Sequence, residues 1–142
     1  MCRLCMTGSR LTAAPWSRGP VVLLGDAAHA MLPHQGQGAN QAIEDAAVLA
    51  GELDGVADLA TALRRYICRR RVRTRQVQAA SWAASSALHL PEGPAARQRD
   101  AYLARLPERL AWIHGHAVLA EAAGRIRLPG PQNRRAVGLP CT

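Results

Sequence analysis

The sequence predicts an α/β fragment: one buried strand that leads into a helix-rich remainder. Three observations carry this. Residues 21–24, Val-Val-Leu-Leu, form a short apolar, β-rich run that stops at Gly25, the pattern of a strand covered on both faces in a parallel or mixed sheet. Past Gly36 the apolar positions recur every three or four residues, which is the helical period. No second convincing strand is legible, so the sheet that the first strand needs is not supplied by the sequence as it stands.

In chain order, residues 1–20 show no periodicity and carry Pro15, Trp16, Gly19 and Pro20, so they are expected to be an irregular lead-in. The opening MCRLCMTGSR reads as a non-native junction. After the strand and a loop, the spacing predicts a helix from 38 to about 53. Ala39, Ala42, Ile43, Ala46, Ala47, Ala50 and Leu53 would form its buried side, and Gln41, Glu44, Asp45 and Glu52 its other faces. Asp58 is an adequate N-cap for a second helix that runs to about 88, with Pro91 beyond its end. Its inner face would carry Leu59, Leu63, Tyr66 or Ile67, Val77, Ala84 and Leu88. A third helical region is expected from 97 to about 106, where Pro107 breaks or restarts it, continuing through Leu110 and Ile113 toward 124. Residues 129–142, which begin Pro-Gly-Pro, read as a flexible tail. The organisation is therefore a lead-in over 1–20, a main unit over 21–128 and a tail over 129–142.

Composition removes several function classes. The 142 residues are 49% hydrophobic and carry a net charge of +8, with 18 cationic side chains, all arginine, against 10 acids. Without lysine there is no P-loop lysine, Schiff-base lysine or lysine general base. The densest charge run, Arg64, Arg65, Arg69, Arg70, Arg71, Arg73 and Arg75, encircles its helix at about 100° per residue and forms no stripe for a phosphate backbone. Few aromatic residues accompany it as base-stacking platforms. The run reads as a solvated helix with some arginines paired to acids elsewhere, and nucleic acid is not an expected partner. No apolar run approaches the roughly 18 residues needed to span a bilayer, and the N-terminus lacks a signal-peptide core. The chain reads as cytoplasmic, with no membrane partner. Cys2, Cys5, Cys68 and Cys141 are dispersed and read as unpaired thiols.

The chemistry concentrates in GDAAHAMLPHQGQGANQAIEDA, residues 25–46. Asp26 follows the end of a strand, where ligands collect in open α/β sheets, and an ionised carboxylate offers acceptors to a polyol's hydroxyl donors. A cap on a nearby loop is the equally common reading of such an acid. Gly36-Gln37-Gly38 opens the next helix, where free N–H groups and the positive end of the dipole favour anionic oxygen. It is not the dinucleotide fingerprint, since Gln41 stands where GxGxxG needs its third glycine. His29 and His34 lack a metal-binding arrangement and read as loop residues, so no metal is expected. No serine lies in a GxSxG context, and no catalytic residue can be named.

As a whole, GDAAHAMLPHQGQGANQAIEDAAVLA resembles the second flavin-binding segment of the FAD-dependent aromatic hydroxylases, the para-hydroxybenzoate and salicylate hydroxylase-like monooxygenases. LRRYICRRRVRTRQVQAAS is similar to that family's long C-terminal helix, and the likeness fades after about Trp112. The resemblance implies the C-terminal part of an FAD/NAD(P)-binding, Rossmann-like fold. It implies that Gly25 and Asp26 meet the ribityl chain of FAD and that Pro33 lies beside the isoalloxazine ring with its carbonyl toward the substrate pocket. The main chain of Gly36, Gln37, Gly38, Ala39 and Asn40 would approach the pyrimidine end of the ring. Glu44 and Asp45 would be helix-surface or packing residues. The implied activity is hydroxylation of an aromatic or phenolic compound with NAD(P)H and O2. The family's GxGxxG and Asp-Gly motifs have no counterpart here, so the chain is expected to be inactive alone and to need a complementing N-terminal half, or to self-associate. The alternative is a small, non-enzymatic, basic helical binding protein that keeps the motif as scaffold.

Overall fold

A computed structural model describes residues 15–54 and 57–118. These residues are mostly helical, with one two-stranded sheet among them. Strands β1 (Ser17–Arg18) and β2 (Val21–Val22) pair antiparallel, Ser17 opposite Val22 and Arg18 opposite Val21. This corrects the expectation of a single strand buried on both faces. Gly19, at φ 58°, followed by Pro20 makes a two-residue turn of the kind that needs glycine first, and it supplies β2 with a local partner inside the stretch expected to be irregular. Val21 is 63% exposed. The run is apolar because Val22, Leu23 and Leu24 rest on a core of Trp16, Ala28, Val48 and Tyr66, and apolarity alone does not say what a strand pairs with.

A short helix α1 (Asp26–His29) follows directly, then a 3-10 turn (Pro33–Gln35) and α2 (Gln37–Leu53). The span of α2 is as the periodicity predicts, but its orientation is not. Its buried residues are Gln37, Gln41, Glu44, Asp45 and Val48, while Ala39, Ala46, Ala50 and Leu53 are exposed and Ile43 is 66% exposed. Alanines bury little area and exert a weak pull. The opposite face carries two carboxylates that find buried guanidinium partners on the next helix, and that pairing decides which side turns inward.

That helix, α3 (Leu59–Leu88), is 30 residues long, or about 45 Å at 1.5 Å per residue. Asp58 caps it as predicted, its carboxylate accepting from the Ala60 and Thr61 N–H groups. Leu63, Tyr66, Val77 and Ala84 are buried as expected, whereas Leu59 and Leu88 at the two ends are exposed. Cys68 is disulfide-bonded, a correction to the expectation of unpaired thiols. The third helical region is two helices, α4 (Pro94–Ala104) and α5 (Leu106–His114), with Pro107 in the first turn of α5, where its missing N–H costs nothing. Leu110 and Ile113 of α5 meet Val77 of α3 in a second core, joined by Met31, Ala80 and Leu106. α5 ends at His114 with Gly115 as its cap, short of the expected continuation toward 124, and residues 119–142 and 1–14 lie outside the described residues. Among the described residues no helix is long and apolar enough to cross a membrane.

Candidate functional site

The predicted site residues fall into two groups that the fold brings together. Gly25 caps α1 at φ 55°, ψ −139°, a conformation that L side chains rarely adopt, and a Cβ there would sit 3.2 Å from the Ala42 side chain. Its carbonyl accepts from the N–H groups of Ala28 and His29, both at 2.9 Å, which winds the next four residues into α1. Asp26 stands at the first position of this turn, exposed.

The second group is the start of α2. Gly36 takes the left-handed conformation, φ 62°, ψ 19°, and serves both as the end of the 3-10 turn and as the N-cap of α2. No side chain caps α2, so its first N–H groups are free to meet a ligand. Gln37 is buried, with its Oε1 3.5 Å from the Asn40 Nδ2 donor, while Ala39 and Asn40 are exposed. The two groups converge at Gly38: a Cβ placed there would lie 3.7 Å from Asp26 Oδ1. An acceptor carboxylate and an uncapped helix N-terminus thus sit side by side on the surface.

Pro33 opens the 3-10 turn, and its carbonyl accepts the Gly36 N–H at 3.0 Å. One lone pair of that carbonyl, expected to face a substrate pocket, is therefore used to close the turn. The loop that carries Pro33 is held by α3. Gln78 Nε2 donates to the Ala30 carbonyl at 2.9 Å, Ser81 Oγ to that of Leu32 at 2.7 Å, and Gln35 Nε2 returns a bond to the Ala80 carbonyl at 2.9 Å. The Tyr66 hydroxyl reaches the Leu23 carbonyl at 3.0 Å. Tyr66, Arg70, Gln78 and Ser81 follow one face of α3 at helical spacing, and each holds the motif from below.

Under the site lies a charge cluster that sequence reasoning missed. Asp45, fully buried, accepts from the Gly25 N–H at 2.8 Å and from His29 Nε2 at 2.5 Å through Oδ2, and from Arg70 Nε at 2.7 Å through Oδ1. Arg70 is 1% exposed and also donates to Glu44 Oε2 at 2.6 Å and to Gln41 Oε1 at 2.8 Å. Arg73 forks onto Glu44 at 2.6 and 2.7 Å and lies 5.7 Å over the Trp112 ring. Two guanidinium groups and two carboxylates cancel in charge and satisfy one another, the condition for burying them. Burial alone would raise the Asp45 carboxyl, but the bonds from His29, Arg70 and the Gly25 N–H outweigh it and hold it below the ordinary value. Burial likewise opposes ionisation of Glu44, and Arg73 and Arg70 reverse the balance. Burial pushes the Tyr66 phenol up, and the Asp45 charge adds to that.

Three sequence readings change as a result. Of the two readings of Glu44 and Asp45, the packing one holds and the surface one does not, since both are buried. His29 is not a loop residue: it is 1% exposed, its ring centre 5.6 Å from that of Trp16, and its Nδ1 is buried without a hydrogen-bond partner. The arginine run is partly paired as expected, through Arg69 to Glu52 and Arg73 to Glu44, but Arg70 is inside. The available signal was the acid pair at 44 and 45 facing arginines at 70 and 73 on a second helix, and charge spacing within a single helix could not reveal it. His34 remains exposed, its ring centre 5.5 Å from that of His89. Among the described residues no group of three metal-ligating side chains is present.

The sequence that builds this arrangement is similar to that of known proteins. Residues 5–81 fit the family model described as FAD binding domain. The chain is 51% identical over 105 residues to a 3-amino-4-hydroxybenzoate 2-monooxygenase of Streptomyces platensis, an alignment that covers 70% of this chain and 26% of that protein. It is 43% identical over 115 residues to a salicylate hydroxylase of Pseudomonas putida, covering 76% and 26%. It is 39% identical over 105 residues to a 3-hydroxybenzoate 6-hydroxylase of Aquipseudomonas alcaligenes, covering 70% and 27%. The chain spans about a quarter of the length of these curated relatives. The family match covers every residue of the two converging groups, and on that evidence the chain belongs to the FAD binding domain family.

Proposed function

We propose that the chain is the part of an FAD-dependent monooxygenase that holds the flavin between the Gly25–Asp26 turn and the start of α2. The observation that supports this most directly is the approach of Asp26 Oδ1 to Gly38, 3.7 Å from the position a Cβ would take. Asp26 is exposed and makes no hydrogen bond among the described residues, so both its oxygens can accept from ribityl hydroxyls. Gly36 has no heavy atom within 4 Å of the place a Cβ would take, and the uncapped N–H groups of Gln37, Gly38 and Ala39 in the first turn of α2 suit the electron-rich pyrimidine end of the ring. Pro33 keeps one carbonyl lone pair on the same rim. When bound, flavin supplies redox chemistry that activates oxygen, and this chain's residues bind it, orient it and stabilise negative charge on it.

In the complete protein the reaction is hydroxylation of a small aromatic or phenolic compound at the expense of NAD(P)H and O2, in the cytoplasm and within a Rossmann-like fold. The relatives named for hydroxybenzoate and salicylate substrates support this class. The outward face of α2, with Ala39, Ile43, Ala46, Ala50 and Leu53, is where a complementing N-terminal part would pack, and this fragment alone is inactive. The pairing of Arg69, Arg70 and Arg73 with acids of α2 removes support from the alternative of a basic binding module. Asp26→Ala in a reconstituted full-length protein tests the reading. It should lower FAD retention roughly ten- to a hundredfold, the effect of losing hydrogen bonds to a charged acceptor, while His34→Ala changes it little. Equal retention in both variants would contradict the role given to Asp26.

A further inference from the structure

We propose that Asp45 is a positioning residue for the flavin site: its carboxylate clamps both ends of the turn that presents Asp26. This rests on the reading of Asp26 as a flavin contact. The geometry is specific. Asp45 Oδ2 takes the Gly25 N–H at 2.8 Å, before Asp26, and His29 Nε2 at 2.5 Å, three residues after it. Since an ionised carboxylate only accepts, His29 donates through Nε2. A single buried oxygen therefore spans the four residues of α1 from its cap to its last member.

Ala28 and His29 pack beside Trp16, and Tyr66 and Gln78 bond the flanking carbonyls of Leu23 and Ala30, but within the turn itself Asp45 is the side chain that holds both ends. Four residues are too few for a helix to be stable by itself, no side chain caps α1, and its cap is a glycine, whose wide conformational freedom leaves the entry to the turn unfixed by local sterics. The other oxygen of Asp45 is tied to Arg70 Nε at 2.7 Å, and Arg70 is fixed in turn by Gln41 and Glu44. Asp45 and Gln41 belong to α2, the helix whose N-terminus forms the other half of the site. The clamp thus sets the distance between Asp26 and Gly38 by joining the two halves through one side chain. Glu44 is the internal comparison. It is also buried, though less deeply, on the same helix and bound to the same arginine, but it touches neither end of the turn.

The test uses the 142-residue chain and two readouts. The first is the nuclear Overhauser contact between Asp26 and Gly38 together with hydrogen-exchange protection of the Gly25 amide. The second is FAD affinity from flavin fluorescence. Asp45→Ala should lose the contact and the protection and weaken FAD binding by roughly tenfold or more. Glu44→Ala, even where its melting temperature falls as far, should keep the contact and stay within about twofold in affinity. Asp45→Asn, whose carbonyl oxygen can still accept from Gly25, should restore the contact in part, and it replaces the alanine variant if that fails to fold. Retention of the Asp26–Gly38 contact in the Asp45 variants, or its equal loss in Glu44→Ala, would overturn the proposal whether or not flavin binds. Loss of the contact in Asp45→Ala alone, with no FAD binding by the parent chain, would support the clamp and sink the flavin reading instead.

Discussion

Arg70 is the residue on which most of the interior depends. It is a buried cation bound to Asp45, Glu44 and Gln41 at once, and removing one partner from such a cluster leaves charges uncompensated in a dry environment. Arg70→Ala should therefore destabilise the chain by about 3–5 kcal/mol, measured by urea unfolding. Arg70→Lys should recover only part of this, since an ammonium cannot reproduce the forked geometry. A loss below about 1 kcal/mol for the alanine variant would mean that the cluster is solvated. The carboxylates make a separate prediction. Asp45 and Glu44 are both held below their ordinary values, so the stability they contribute is fully present above the unfolded-state range near pH 4. It is lost as pH falls through the depressed folded values. Unfolding free energy measured between pH 7 and pH 3 should drop on the acid side, and Asp45→Asn should flatten that drop. An unchanged slope in the variant would remove Asp45 from the account. At this scale the sequence was informative about Gly36, which takes the left-handed conformation that favours glycine, as a glycine at the start of a helix suggests. It was uninformative about Asp45 and Arg70, because their partners lie 25 residues apart in the chain and meet only after two helices have packed.

The helices show the same division. The span of α2, the N-cap of α3 and the proline at the head of α5 were legible because each depends on a few neighbouring residues. The orientation of α2 was not, since it turns on ion pairs to α3 against the weak pull of alanines. This can be checked by substitution. Ile43→Asp, on the exposed face, should cost no more than about 0.5 kcal/mol in the isolated chain, whereas Val48→Ala, 2% exposed, should cost about 1–3 kcal/mol. The reverse order in thermal unfolding would restore the orientation that periodicity alone suggests. The strand pair failed to be read for a related reason: Ser17–Arg18 is too short and polar to signal a strand by itself, and it is the Gly19-Pro20 turn and the burial of Trp16 that fold it onto Val21–Val22.

At the scale of the molecule, the charge cluster and the two small cores of the described residues hold α2, α3 and the motif loop together, while among those residues an apolar face of α2 and the edge at Val21 are exposed. Such a surface favours association, and sedimentation at rising concentration should show the chain self-associating. Ile43→Asp should reduce this while leaving unfolding free energy nearly unchanged. The central claim is that flavin is held where Asp26 meets the start of α2, and an amide chemical-shift titration of the chain with FAD tests it most directly. The account predicts weak binding, with the shifted amides confined to Gly25, Asp26 and the run from Gly36 to Asn40. Saturable shifts centred on α4 or α5, or none at millimolar FAD, would contradict it.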